Sequence, residues 1–390
     1  MKHQCNGLGV HQYLILHCAT LAELIHCLSH PTPPLSQRRG PPSAMPEGFV
    51  GPADLVNALV GLVNVICRGV LAPINFITRK AARDRQRLIA NTGRNLAARR
   101  AIETQRKDCL IFDPLAQVLA GKEAFKRIKD TKAKVRARGR TKRAVNHVIL
   151  RSKFVDDAIQ NVLGSARVKD YAPVRGDASQ CRQVVSLGSG MDARPWRLVL
   201  PDGLKWFEVD WAIVVDLKRK LLREAGAAMD AKSNARAKFP LRVGAWCAVK
   251  ADAQDAKLMD RLQASGFDPA VVTLWVAEGL LVYLEPQVVP ALLKRMAQSC
   301  SPGSILVCTF VMAKRLEDNQ DGGTGARREW KWGAPENYEQ FFEENGWKIA
   351  LMKRRTQVAK MYGCDASSHI PGASPPLLSE QAGMMVAKRL

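Results

Sequence analysis

The sequence predicts an α/β protein: a mostly parallel, doubly wound sheet behind a helical N-terminal extension. Three observations predict it. From Gln183 onward, short apolar runs alternate with helical stretches, the rhythm of parallel strands joined through helices. The first run, Val184 to Leu187, opens into a glycine-rich turn, Gly188-Ser189-Gly190. About 20 residues further on, the second run ends in an acidic residue, Asp210, at the spacing such folds use to grip a ligand.

The chain has 390 residues, enough for one large domain with additions. Hydrophobic residues make up 47% and charged residues 24%, which allows a sizeable core and excludes wholesale disorder. The formal charge of +23 is less ordinary, and much of it lies between Arg79 and Lys153. Such an excess indicates an anionic partner (nucleic acid, a membrane surface or an acidic small molecule) or a solvated helical face. The stretch Lys122 to Arg143 reads as a helix carrying Lys126, Arg127, Lys129, Lys132, Lys134, Arg136, Arg138 and Arg140. No aromatic residue follows Phe125 there, which argues against stacking on single-stranded bases. The ten cysteines are scattered, with no C-x-x-C pair, and read as reduced thiols in an intracellular compartment.

The N-terminal region divides in two. Residues 1–46 read as a leader and Pro-rich linker, and the first 45 residues contain one acidic residue, Glu23, and five of the seven histidines. His11, His17, Cys18, His26 and Cys27 match no zinc spacing, so no structural metal is expected. An acid-poor leader with arginines suits an organellar transit peptide, and a start at Met45 is an equal alternative. The protein is expected to be cytoplasmic or organellar and not secreted. Residues 47–150 read as a basic helical extension and lid. Within them Val50 to Ile77 is apolar, but Asp54 and Arg68 interrupt it, which favours an amphipathic surface helix over a membrane span. The helical pattern from Ala81 to Lys153 is expected to break at Gly93, Pro114, Gly121 and Gly139.

Residues 151–390 read as the ligand-binding domain. After Val184 to Leu187, strands are expected at Trp206 to Val209, Trp246 to Val249, Val271 to Val276, Ile305 to Phe310, Trp347 to Leu351 and Met384 to Ala387. Helices are expected at Ile213 to Ala228, Ala256 to Ala264 and Gln287 to Ser299. Sheets of this kind bind ligands outside the carboxyl ends of their strands.

Four positions carry the chemistry. The turn Gly188-Ser189-Gly190 lets the backbone approach a ligand closely. Asp210 can accept two hydrogen bonds from a vicinal diol, as a ribose presents. Asp252 follows the third strand and can reach an adenine amino group or N-cap a helix running from Ala253 onward. Glu278 follows an apolar strand, where a carboxylate can face the cleft or cap the next segment.

Several ordered blocks resemble the leucine carboxyl methyltransferase family, in particular its bacterial-type branch. They are Val184 through Arg194, Phe207-Glu208-Val209-Asp210 followed by Lys218, and Glu278-Gly279-Leu280-Leu281-Val282-Tyr283-Leu284. Upstream, Ala97 through Thr104, Phe112-Asp113-Pro114-Leu115-Ala116 and Arg151-Ser152-Lys153-Phe154-Val155-Asp156-Asp157 also resemble family segments. The likeness runs from about Thr78 to Leu390, and residues 1–77 lie outside it. Ser152 and Ala193 stand where the family has threonine, and Ser189 where it has alanine, all small-for-small changes.

The resemblance implies a Rossmann-like class I methyltransferase fold with an antiparallel C-terminal strand, and S-adenosylmethionine as cofactor. It implies that Arg151 binds the cofactor's carboxylate, that Gly188, with Ser189 and Gly190, holds its methionine portion, and that Asp210 holds its ribose. Asp252 and Ala253 would frame the adenine. Glu278 would serve the methionine end or the acceptor. The expected reaction is O-methylation of a carboxylate or hydroxyl on a small molecule or protein, in which orientation supplies much of the rate. A carboxylate acceptor needs no general base but suits a cationic clamp, for which Arg194 and Arg197 are candidates; Tyr283 is a candidate cleft contact. A hydroxyl acceptor needs a base, and no residue stands out as one. The alternatives are an NAD(P)-dependent oxidoreductase using the same glycine turn, and a basic RNA- or membrane-binding protein that keeps an inactive fold.

Overall fold

The structure is a computed structural model describing residues 72–136, 147–166, 170–171, 181–317, 325–364 and 381–390. The expected leader, its histidines, and most of Val50 to Ile77 lie outside these residues. The chain divides into two compact units, Met1–Arg83 and Asp84–Leu390. Of the first, the described part is the helical stretch that begins α1, which spans Ala72–Thr104.

The second unit is organised by a seven-stranded sheet. In chain order the strands are β1 (Gln183–Leu187), β2 (Lys205–Asp210), β3 (Ala245–Lys250), β4 (Thr273–Ala277), β5 (Ile305–Val311), β6 (Trp347–Arg354) and β7 (Ala382–Arg389). Their spatial order is β3-β2-β1-β4-β5-β7-β6. The first five are parallel, and β7 runs antiparallel between β5 and β6. The sequence-predicted strands all form, with ends differing by a few residues. Strand order reverses between β1 and β4, the switch point at which an open sheet of this kind leaves a crevice for ligand.

Both sheet faces are covered because neighbouring residues of each strand point to opposite sides. Val184, Trp206, Leu274, Val307 and Val386 enter one apolar core, while Val185, Phe207, Trp275, Leu306 and Met385 enter the other. All of these side chains are fully buried, and each such aliphatic or aromatic residue contributes roughly 1.5–3 kcal/mol. The apolar runs lack a polar face for that reason.

Helices α2 (Ala116–Arg136) and α3 (His147–Val162) precede the sheet. The short α4 (Arg194–Arg197) follows the glycine turn, and α5 (Ala212–Ala225), α6 (Leu258–Ala264) and α7 (Val288–Gln298) cross over between strands. Beyond β5 lie α8 (Ala313–Glu317), α9 (Tyr338–Glu344) and α10 (Arg355–Met361). Of the expected helix breaks, Gly121 kinks α2, and Pro114 lies in the turn ahead of it. Gly93 is different, because α1 runs straight through it. In α2 the side chains of Lys122, Lys126, Arg127 and Lys129 are exposed; residues 137–146 of the expected basic helix lie outside the described residues. Among the described residues, no helix is long and apolar enough to cross a membrane.

Candidate active site

A cleft opens at the carboxyl ends of β1, β2, β3 and β4, enclosing about 1170 Å³ including its open mouth. Arg151, Gly188, Ser189, Gly190, Asp210, Asp252, Ala253, Glu278, Arg194, Arg197 and Tyr283 all line it. The strands carry these separate sequence blocks to one end of the sheet.

The glycine turn is locked to β2. The Gly188 amide donates to the Val209 carbonyl at 2.8 Å, and the Gly190 amide donates to Oδ2 of Asp210 at 2.7 Å. Gly188 has φ +61°, and a Cβ there would come within 2.9 Å of Leu280 Cδ1. Glycine is thus required twice over, by the left-handed backbone and by the close neighbour. Asp210 also accepts from the Trp211 amide, through Oδ1 at 2.8 Å. Burial raises its pKa, against the pull of the Gly190 and Trp211 amides. Each of its oxygens has accepted one backbone hydrogen bond and retains a further acceptor site. Asp252 closes its own turn by accepting from the Gln254 amide at 2.9 Å. It does not cap α6, which starts later, at Leu258.

The opposite side of the cleft is a chain of buried ion pairs. Oε1 of Glu278 accepts from Arg151 Nε at 2.9 Å and from Ser152 Oγ at 2.8 Å, and its Oε2 accepts from Arg194 Nη2 at 2.7 Å. Arg194 also donates to Asp156 at 2.6 Å and to Asp192 at 2.9 Å. Arg197 grips both oxygens of Asp156 at 2.7 Å. Burial would raise the Glu278 carboxyl, but Arg194 and Arg151 outweigh it and hold the group well below the usual carboxylate range. Asp192 is lowered in the same way, its burial offset by Arg194.

This geometry assigns the arginines differently from one another. Arg194 and Arg197, the expected acceptor clamps, are buried and engaged with protein carboxylates, which makes them framework rather than a free anion site. Glu278 is paired as well: its Oε1 has accepted two hydrogen bonds, while its Oε2 has accepted one and the residue lines the cleft. Its contact orients Arg151, whose two terminal nitrogens keep no hydrogen-bond partner among the described residues and line the cleft. Sequence reasoning missed the contribution of α1. Arg85, Ile89, Gly93, Leu96 and Arg100 line the cleft as a single helical stripe. Their spacing of three and four residues was a readable signal.

A second buried pair supports β2 from behind. Lys218 donates to Glu208 Oε2 at 2.6 Å, and burial pushes Glu208 up to about 7 against the pull of Lys218. This accounts for both residues of the second sequence block without placing either in the cleft.

A sheet of this order, with the glycine turn after β1 and an acidic residue ending β2, defines a Rossmann-like class I methyltransferase fold. A family model for leucine carboxyl methyltransferase matches residues 95–297. A Streptomyces avermitilis protein named as an S-adenosyl-L-methionine-dependent methyltransferase is 32% identical over 302 residues, covering 76% of this chain and 93% of that protein. A similarly named protein of Streptomyces coelicolor is 29% identical over 278 residues, covering 70% of this chain and 87% of its own. A solved structure from Thermobifida fusca, described as a methyltransferase, covers 70% of this chain and 91% of its own at a TM-score of 0.41 and 17% identity. The chain belongs to the leucine carboxyl methyltransferase family.

Proposed function

We propose that this enzyme transfers a methyl group to a carboxylate oxygen of its acceptor in the cleft above β1, β2 and β4. The donor is S-adenosylmethionine. When bound, it supplies an electrophilic methyl group on a sulfonium whose departure needs no proton.

The residues present fit that donor. Asp210 offers acceptor sites suited to ribose hydroxyls, and Asp252 and Ala253 lie where an adenine edge would be framed. Gly188 and Gly190 let backbone approach the donor without a Cβ in the way, with the small Ser189 between them. The unpartnered end of Arg151 suits the donor's carboxylate, with Glu278 holding the guanidinium in orientation. The observation that carries the reading is this pairing: Asp210 with no ionic partner and Arg151 with a free end among the described residues, both lining one cleft.

The lining supports a carboxylate acceptor. The described residues around the cleft include no histidine and no lysine, and Tyr283 is the one phenol among them. An acceptor that arrives already ionised needs no proton removed, so a carboxylate suits this lining better than a hydroxyl. The protein's work is then alignment and exclusion of water, with Leu280, Leu284, Ile89 and Leu96 providing apolar walls.

Calorimetric titration with S-adenosylmethionine, S-adenosylhomocysteine and NADH tests the donor site. Binding of the first two, lost in Asp210→Ala, is expected; a preference for NADH would overturn the reading. The acceptor is tested by incubating the enzyme with a cell extract and radiolabelled donor. Alkali releases label from a methyl ester as volatile methanol, whereas an alkali-stable product would transfer the assignment to a hydroxyl.

A further inference from the structure

Helix α1 precedes the strand-helix repeat, yet one stripe of it walls the cleft. At the centre of the stripe is Gly93, a residue disfavoured inside a helix relative to alanine. A Cβ at Gly93 would be 3.5 Å from the Met191 amide nitrogen and 3.6 Å from Gly190 Cα, so the helix rests directly on the glycine turn. Two helical turns further on is Arg100, 7% exposed. Its Nε donates to Asp113 Oδ2 at 2.8 Å, and its Nη2 donates to the Met191 carbonyl at 2.5 Å.

The Met191 carbonyl and the Asp192 amide belong to one planar peptide unit. Arg100 holds its oxygen, and the Ser189 carbonyl accepts from its N–H at 3.0 Å. The unit is therefore pinned at both ends. The start of the turn is held separately, by Val209 and Asp210. Without Arg100 the last peptide of the turn would be held at one end only and free to tilt.

We propose that Arg100 is a positioning residue for the donor site: it fixes the Met191–Asp192 peptide, and with it the path of the backbone from Gly188 to Asp192 that faces the donor. Gly93 marks the contact of α1 with the glycine turn, two helical turns before Arg100. This rests on the donor occupying the glycine turn, as argued above. A purely structural role for Arg100, as the counter-ion of Asp113, is the competing explanation.

Arg100→Lys separates the two. It retains the positive charge beside Asp113, but its single nitrogen cannot also reach the Met191 carbonyl in Arg100's fork geometry. Calorimetry with S-adenosylhomocysteine is expected to show a Kd about tenfold higher or more, the effect of losing one buried charged hydrogen bond. Amide exchange is expected to quicken at 188–192 and to stay unchanged in β5 and β7. Gly93→Val disturbs the same contact by shape alone, without changing any charge, and is expected to raise the Kd in the same way. Arg106→Ala, at an exposed pair with Asp108, is expected to leave it unchanged. Affinities of Arg100→Lys and Gly93→Val within about twofold of wild type would overturn the proposal. So would exchange that quickens equally throughout the sheet. If Arg100→Lys fails to fold, the amide exchange of Gly93→Val at 188–192 decides, since a side chain at this cleft-lining position affects the Kd by itself. Failure of the wild type to bind S-adenosylhomocysteine would instead overturn the donor reading, so the two failures are distinguishable.

Discussion

The two sides of the cleft treat charge in opposite ways. At the ends of β2 and β3, Asp210 and Asp252 are satisfied by backbone amides and have no ion-pair partner among the described residues. Across the cleft, Glu278, Asp156 and Asp192 face Arg151, Arg194 and Arg197 in pairs of 2.6–2.9 Å. A carboxylate held by amides alone keeps acceptor capacity for a ligand. A carboxylate paired with guanidinium groups has its charge compensated within the protein, and its removal strands buried charge. In the proposed reading one side serves binding and the other holds it in shape.

Arg194→Met is the harshest test of that contrast. It leaves Asp156, Asp192 and Glu278 short of a partner and is expected to cost about 3–5 kcal/mol of stability in urea unfolding. A loss under about 1 kcal/mol would mean the pairs are ornamental.

Glu278→Gln sharpens the contrast through pH. The folded-state pKa of Glu278 is held far below its ordinary value of 4.5. Its stabilisation is therefore present above 4.5 and lost as pH falls below it. The wild type's stability advantage over the variant should hold down to about pH 4.5 and shrink steadily as the pH falls further toward the depressed folded-state value, as followed by thermal melting. A constant difference across that range would contradict the pairing.

Asp210→Asn should behave in the opposite manner. It keeps one carbonyl acceptor for the turn, so melting should change by only a few degrees, while donor affinity falls about tenfold. Comparable losses in both would erase the distinction between the two sides. The smallest effect is expected from Gly93→Ala. The new Cβ meets only ordinary contacts, and the helix gains up to about 1 kcal/mol from propensity, visible as a modestly higher midpoint in urea. A drop in stability would show that the approach of α1 to the turn is tighter than it measures.

Much of this architecture is legible in the sequence because local pattern and tertiary environment agree. Strands buried on both faces read as continuous apolar runs, and Gly188, Gly190 and Asp210 follow one another at a spacing that the β1–α4–β2 connection enforces. What escapes a sequence reading is pairing at a distance. Arg194 reads as a free cation because Asp156 lies 38 positions away, and Arg100 meets Met191 across 91. Gly93 reads as a helix break because its local cost is visible, while the contact that accounts for it lies on another segment. Arg151 is legible as a site residue, but the carboxylate that aims it is 127 positions on.

The position of β7 bears on how the protein is made. It is the last strand in sequence, yet it pairs with β5 on one side and β6 on the other. While residues 382–389 are still inside the ribosome, β6 has no neighbour to join and β5 presents an open apolar edge. A nascent or truncated chain stopping short of β7 would carry an assembled cleft, drawn from β1 to β4, on a sheet whose unfinished edge invites aggregation. Chaperone engagement and proteolytic clearance should therefore be most demanding in the interval before β7 emerges, after the residues that line the cleft have been translated.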